Sequence, residues 1–385
     1  VGAKPGAPTP ATSAPAASAP AVVPQAVVAR DEALKISPRV AIATPSLRGS
    51  IALKGGRLDD LVLLKYRETA DPNSPNVTLL SPAGAEHPYF AAYGWLAQTG
   101  STVKVPDDET LWSLEKGDAL TPEAPVTLTF DNGEGLVFRR TFSVDADYMF
   151  KVVNEVENKT TADVSLMPYG RVQRTGLPSH HAVYILHEGL VGVSGEHGLQ
   201  EITYADALKA KNKTSFENVT GGWLGITDKY WATTLIPDQK DAYNASYRPF
   251  PAGTAGDRDA FQADYLRGAV VIPANARKGV EGHLFAGAKQ STLIDGYEQS
   301  LGILHFDRLI DWGWFYFITK PLFHLMEFIN SQVGNFGVTI LVLTVLVKGA
   351  FYPLANKQYA SMARMKKLQP EMQRIREVYK DDPQR

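Results

Sequence analysis

No cysteine occurs in the 385 residues. Disulfides, thiolate metal sites, cysteine nucleophiles and iron–sulfur clusters are thereby excluded. An excess of one charge is also missing. Lys and Arg number 39 against 41 Asp and Glu, a net charge of −2, which excludes nucleic-acid binding through overall charge. Apolar residues make up 44%, too few for a many-span membrane protein but compatible with a single span hidden in the average. The catalytic templates fail. No phosphate-binding Gly loop and no dinucleotide fingerprint are present. His187-Glu188 meets Val191 where a zinc helix needs its second His. Gly192-Val193-Ser194-Gly195-Glu196 lacks the closing Gly of a nucleophile elbow. No metal, cofactor or nucleic-acid partner is expected. A basic-then-apolar leader is absent as well, and the chain reads as a piece of a longer protein.

What is present falls into five stretches. Residues 1–34 read as a disordered tether: nine Ala and six Pro fill 15 of the first 28 positions, and Lys4 is the sole charge there. Small side chains build no core and Pro removes backbone donors.

Residues 35–290 change texture. Short runs of Val, Ile, Leu, Thr, Tyr and Phe alternate with Gly, Asn, Asp and Pro. Ser50 to Lys54, Gly55-Gly56 and Leu58 to Tyr66 spell a hairpin. Pro125 to Phe130, Asp131-Asn132-Gly133-Glu134-Gly135 and Leu136 to Val144 spell another, with Asn-Gly supplying the positive φ of the turn. Tyr148 to Val156 alternates. Val219 to Ile226 and Tyr230 to Ile236 read as a further strand pair. A large antiparallel β-sandwich follows.

Residues 291–330 turn helical. Phe315, Ile318, Leu322, Leu325, Met326 and Ile329 share a face, and Trp312, Trp314, Phe315 and Phe323 concentrate as rings do at a membrane surface. An interfacial amphipathic helix is expected, with a core helix of the β-domain as the alternative. Residues 334–356 read as a transmembrane helix. Asn335 to Ala355 is 21 residues, about 31 Å, which spans a hydrocarbon core. Residues 357–385 read as a basic cytoplasmic helix. In 357–380, Lys357, Arg364, Lys366, Lys367, Arg374, Arg376 and Lys380 stand against Glu371 and Glu377, a net +5. Residues 291–335 carry Arg308 and Lys320 against Asp295, Glu298, Asp307, Asp311 and Glu327, a net −3. The basic side faces the cytoplasm and residues 1–330 the other compartment. Met365, Leu368, Met372, Ile375 and Tyr379 recur at spacings of three and four, a coiled-coil seam that needs a partner. The alternative is a basic amphipathic helix on anionic lipid.

Lys348 stands alone in the span, where a central cation costs about 2.5–3.5 kcal/mol on insertion scales. Thr344 and Tyr352 lie four residues to either side, so the three form a polar stripe on one helical face. The alternative is snorkelling of Lys348 to the cytoplasmic edge. Elsewhere, His180, His181 and Glu188 are the one acid/base set on offer, and neighbouring histidines on a strand face opposite ways.

These residues carry a resemblance. Gly334-Asn335-Phe336-Gly337, the apolar run, Lys348-Gly349, Tyr352-Pro353-Leu354 and Gln358 through Met365 resemble the second span and following segment of the YidC family of membrane protein insertases. Leu368-Gln369-Pro370 through Arg385 continues it, as does Trp312-Gly313-Trp314-Phe315 with Lys320-Pro321-Leu322-Phe323. Ser46 to Gly49, the hairpin around Asn132, Gly221-Gly222-Trp223-Leu224 with Trp231-Ala232-Thr233, and Phe285-Ala286-Gly287 resemble the periplasmic domain of its Gram-negative members.

The resemblance implies a bacterial inner-membrane protein, multi-pass in full, that inserts and folds membrane proteins alone or with the Sec translocon. It implies a mutarotase-like β-supersandwich outside and no catalysis. Further, it implies a hydrophilic groove in which Lys348, with Thr344 and Tyr352, takes the place of the usual Arg. Met365, Leu368, Met372 and Ile375 then belong to the first helix of a cytoplasmic hairpin that captures clients. The implied partners are nascent membrane proteins, the Sec translocon with its accessory proteins, lipid, and ribosome or signal-recognition components. The first span and the later spans lie outside the chain. The competing class is a membrane-anchored carbohydrate-binding or epimerase-like sandwich protein.

Overall fold

A computed structural model describes residues 20, 27–178, 186–210, 213–253 and 257–378. The chain divides into two units, one ending at Asp311 and one starting at Trp312.

The first unit is built on two sheets. Among the described residues, eleven strands form the larger and nine the smaller. The larger runs, in spatial order, Thr214–Thr220, Ala242–Phe250, Ala260–Arg267, Val164–Thr175, Tyr89–Ala97, Arg57–Arg67, Leu47–Ala52, Arg39–Ala43 and Ala119–Leu120. Asn76–Leu80 and Val270–Ile272 are added on its side. The smaller runs Leu199–Thr203, Gly189–Ser194, Gly222–Thr227, Trp231–Pro237, Ala276–Ala288, Met149–Asn158, Leu136–Val144, Val126–Asp131 and Ser113–Lys116. Among the described strands pairing is antiparallel except for Arg39–Ala43 with Ala119–Leu120. The expected antiparallel supersandwich is what the chain forms.

Local chemistry sets the strands. In Met149–Asn158, Phe150, Val152 and Val156 alternate inward with Asn154 and Asn158, while Lys151, Val153, Glu155 and Glu157 stay half-exposed. The turn after Val126–Asp131 closes on Asn132, whose Oδ1 accepts from the N–H groups of Glu134 at 2.8 Å and Leu136 at 3.0 Å. One strand expectation fails. Val219 to Ile226 is two strands in different sheets: Thr214–Thr220 belongs to the larger and Gly222–Thr227 to the smaller. Gly221 and Gly222 adopt φ of 74° and 102°, and a Cβ on Gly222 would sit 1.9 Å from the Val193 carbonyl oxygen. Only glycine lets the chain cross there.

Two boundaries also move. The 1–34 tether is shorter at its described end, because Val28 bridges Ala85, its N–H donating to Gly84 O at 2.9 Å, and Arg30 pairs with Asp60. The stretch 291–330 is divided. The helix Ser291–Leu301, the turn Phe306–Leu309 and the link between them bury Ile294, Ile303, Phe306 and Leu309 in the sandwich core, with Phe306 edge-on to Trp223 at 5.6 Å. Apolar spacing marks a buried face without saying what buries it.

Among the described residues the second unit holds two helices, Tyr316–Val333 and Phe336–Val378. The latter is continuous through Pro353 and Pro370, so the segments read as span and cytoplasmic helix form one rod.

Candidate functional site

Along the long helix, Phe336–Lys366 is long and apolar enough to cross a membrane, and it is almost wholly exposed. Its burial is one-sided. Thr339 is buried, and Leu343 and Val347 are half-buried; these positions, four residues apart, face the helix Tyr316–Val333. Thr344, Lys348 and Tyr352 are exposed and start about 100° further round. The structure thus brings the three predicted residues onto one stripe, turned away from the neighbouring helix. Thr344 is self-satisfied, its Oγ1 donating to Ile340 O at 2.7 Å. Among the described residues Lys348 has no hydrogen-bond or ion-pair partner.

Sequence reading missed what fixes this rotation. Gly334, at φ 68°, ends the first helix, and Asn335 Oδ1 accepts from Val338 N–H at 3.2 Å to start the second. Thr339, the fully buried polar side chain at the corner, donates from Oγ1 to Asn335 O at 3.0 Å and meets Asn330 Oδ1 at 3.3 Å. Thr339→Val is expected to loosen the corner by about 0.5–1.5 kcal/mol, and Thr339→Ser to hold it. The chain has no native cysteine, so a spin-label pair at Phe328 and Val342 reads this directly: the distance distribution broadens in the valine variant only.

The other predicted residues lie as follows. Trp312 is half-buried with its ring edge-on to Phe323 at 5.4 Å, and Thr319 Oγ1 donates to Trp312 O at 2.8 Å. Trp314 and Phe315 are exposed, Trp314 at 96%. Met365, Leu368, Met372 and Ile375 are all exposed along one stripe of the rod. Tyr379, His180 and His181 lie outside the described residues. Glu188, the remaining member of the acid/base set, accepts from Lys229 N–H at 3.0 Å. Among the described residues no cluster of three His, Asp or Glu is placed to hold a metal.

In the first unit, charged groups sit where sequence reading gave no signal. Arg174 donates to both oxygens of Asp228 at 2.6 Å, and its guanidinium lies 5.0 Å from the Tyr89 ring. Lys289 Nζ donates to Thr227 Oγ1 at 3.0 Å. Burial lowers its pKa to about 8, against the pull of Asp228, Asp311 and Glu188. The folded state therefore disfavours this ammonium fully below pH 8, and the penalty fades as pH rises to the ordinary lysine value. Lys289→Met is expected to stabilise the fold by about 1–3 kcal/mol at pH 7 and by nothing above about pH 10.5, as read by urea melts at both.

Comparison with known proteins matches two family models to the chain. One, described as YidC periplasmic domain, covers residues 39–325, and the other, 60Kd inner membrane protein, covers 328–385. The chain is 50% identical over 364 residues to the membrane protein insertase YidC of Nitrobacter hamburgensis, covering 92% of this chain and 59% of that one. It is 51% identical over 363 residues to the insertase of the same name from Methylobacterium nodulans, again covering 92% and 59%. The chain thus spans about three-fifths of the length of these curated relatives. Among solved structures, a galactose mutarotase related enzyme from Lactobacillus acidophilus aligns with a TM-score of 0.44 and 8% identity, covering 65% of this chain and 97% of that one.

Proposed function

The chain belongs to the YidC family of membrane protein insertases, and from that premise we propose that it inserts and folds inner-membrane proteins, alone or beside the Sec translocon. The observation that carries the reading is Lys348, exposed and without a partner among the described residues, the one charged side chain between Asn335 and Ala355 in a helix apolar enough to cross a membrane.

The mechanism is physical. Lys348, Thr344 and Tyr352 line one side of a hydrophilic groove in the bilayer. Polar groups halfway down shorten the apolar barrier that a client's extracytoplasmic segment must cross. An acidic or polar part of that segment pauses against the Lys348 ammonium, then continues outward. The client's apolar helix leaves sideways into lipid, gaining about 25 cal/mol per Å2 of apolar surface removed from water. No covalent step and no nucleotide enter. Trp312, Trp314, Phe315 and Phe323 seat the helix Tyr316–Val333 in the outer interface, where rings bury their bodies and wet their edges. Met365, Leu368, Met372 and Ile375 form the face that first meets clients or a partner helix, on the basic, cytoplasmic side. Proposed partners are nascent membrane proteins, the Sec translocon with its accessory proteins, and ribosome or signal-recognition components. The full protein is multi-pass, with residues 1–330 in the periplasm.

The test is complementation of an insertase-depleted bacterium with the full-length gene. Growth with the wild type and with the double variant His180→Ala/His181→Ala supports the reading. Growth with the wild type and failure of the histidine variant overturns it in favour of sandwich chemistry.

A further inference from the structure

Between the two sheets, where the hairpin end Tyr66–Thr69 approaches the turn Asp228–Trp231, lies a cleft of about 810 Å3. Its walls combine aromatic and apolar side chains with charged ones. Tyr66 meets Trp231 edge-on at 5.1 Å, and Val77, Leu79 and Tyr89 complete the lining. Arg67, Arg174, Lys229 and Lys289 line it against Glu68 and Asp228, a surplus of two positive charges in a chain of net charge −2.

Those cations are not equally available. Arg174 is spent on Asp228, and Arg67 donates to Ser74 O at 2.6 Å. Lys229 sits over the Tyr230 ring at 4.7 Å, at the exposed rim. Lys289 is different. Among the described residues its ammonium makes one hydrogen bond, to the Thr227 hydroxyl, leaving two N–H donors. The carboxylates that act on it through space are engaged elsewhere: Asp228 with Arg174, Glu188 with Lys229 N–H, and Asp311 with His187 N–H at 3.1 Å. A half-buried amine that the fold would be more stable without, facing a cleft with aromatic walls, marks a ligand site rather than a structural contact.

We propose that this cleft binds a small organic carboxylate with an aromatic or branched apolar body. The carboxylate lies on the Lys289 ammonium, and the body lies against Tyr66, Trp231 and the Val77–Leu79 wall. The surplus positive charge selects the anion, and the Arg174–Asp228 pair below supplies a fixed polar floor. This goes beyond insertion and involves none of the residues proposed for it.

The probes are N-acetyl-L-phenylalanine and its amide, alike in shape and different by one charge, titrated calorimetrically into the detergent-solubilised chain. At pH 7 the acid is expected to bind at least roughly tenfold more tightly than the amide. Raising the pH to 9.5 discharges Lys289, which faces Arg174, Lys229, Asp228, Glu188 and Asp311, and weakens the acid by roughly tenfold or more while leaving the amide as it was. Lys289→Met erases the preference and Lys289→Arg keeps it. Equal binding of acid and amide, binding of neither at roughly 10 mM, or a preference that survives Lys289→Met overturns the proposal. The acid–amide comparison on the unaltered chain decides the matter alone if a variant fails to fold.

Discussion

Lys348→Ala in the full-length protein is expected to block insertion of clients whose translocated segment is short and acidic, while Lys348→Arg supports it. The expectation follows from the position of the charge. An ammonium and a carboxylate about 4 Å apart attract by roughly 1–4 kcal/mol in surroundings between water and protein interior. That is roughly five- to several-hundredfold in how often the client segment occupies the groove. Arginine keeps the charge and adds a planar fork, so it matches or exceeds lysine. Alanine also removes the polar centre of the Thr344–Lys348–Tyr352 stripe. The assay is protease protection of a reporter in depleted cells, run with acidic and neutral versions of the same translocated segment. Loss for the acidic reporter with the neutral one spared is the expected pattern. Equal insertion of both by the alanine variant would remove the charge from the mechanism.

The second large effect concerns stability. Arg140 is buried to 1% exposure inside the sandwich and, among the described residues, has no carboxylate within ion-pair distance. Its guanidinium is satisfied by neutral oxygens instead. Nε donates to Asn154 Oδ1 at 2.7 Å, Nη1 to Gly56 O at 2.8 Å, and Nη2 to Tyr93 O. The Trp112 ring lies 4.8 Å away. Burial lowers its pKa to about 10, which still leaves it charged at neutral pH. The side chain joins both sheets and the Gly55-Gly56 turn at one point. Arg140→Met strands three buried acceptors together, at about 3–5 kcal/mol. Thermal melts of the chain should fall by about 10 °C, with Arg140→Lys recovering part of it because charge is kept and the fork is lost. A melt unchanged in Arg140→Met would show that the acceptors find other donors.

Legibility in the sequence tracked how local the cause was. The turn at Asn132 was readable because its hydrogen bonds close within five residues. The polar stripe was readable because a helix repeats by itself. The crossing at Gly221-Gly222 was not, since β-propensity runs on across it and the steric demand comes from Val193 on another strand. Arg140 occupies an inward phase of Leu136–Val144, between Phe138 and Phe142, where alternation alone gives no reason for a cation. Its reason lies in carbonyls 47 and 84 residues away. Lys289 and Asp228 are brought together by the same kind of distant pairing. Thr339 was hidden for a smaller reason: its partner Asn330 is near in sequence, but the turn between them had to be known first.

The unbroken helix Phe336–Val378 has a mechanical consequence. Its 43 residues make a shaft about 65 Å long, roughly twice the thickness of the bilayer's oily layer. Met372 and Lys348 sit on that one shaft, about 36 Å apart. A partner that grips the exposed methionine end and rolls it turns the ammonium inside the bilayer as well, less whatever twist Pro353 and Pro370 absorb between them.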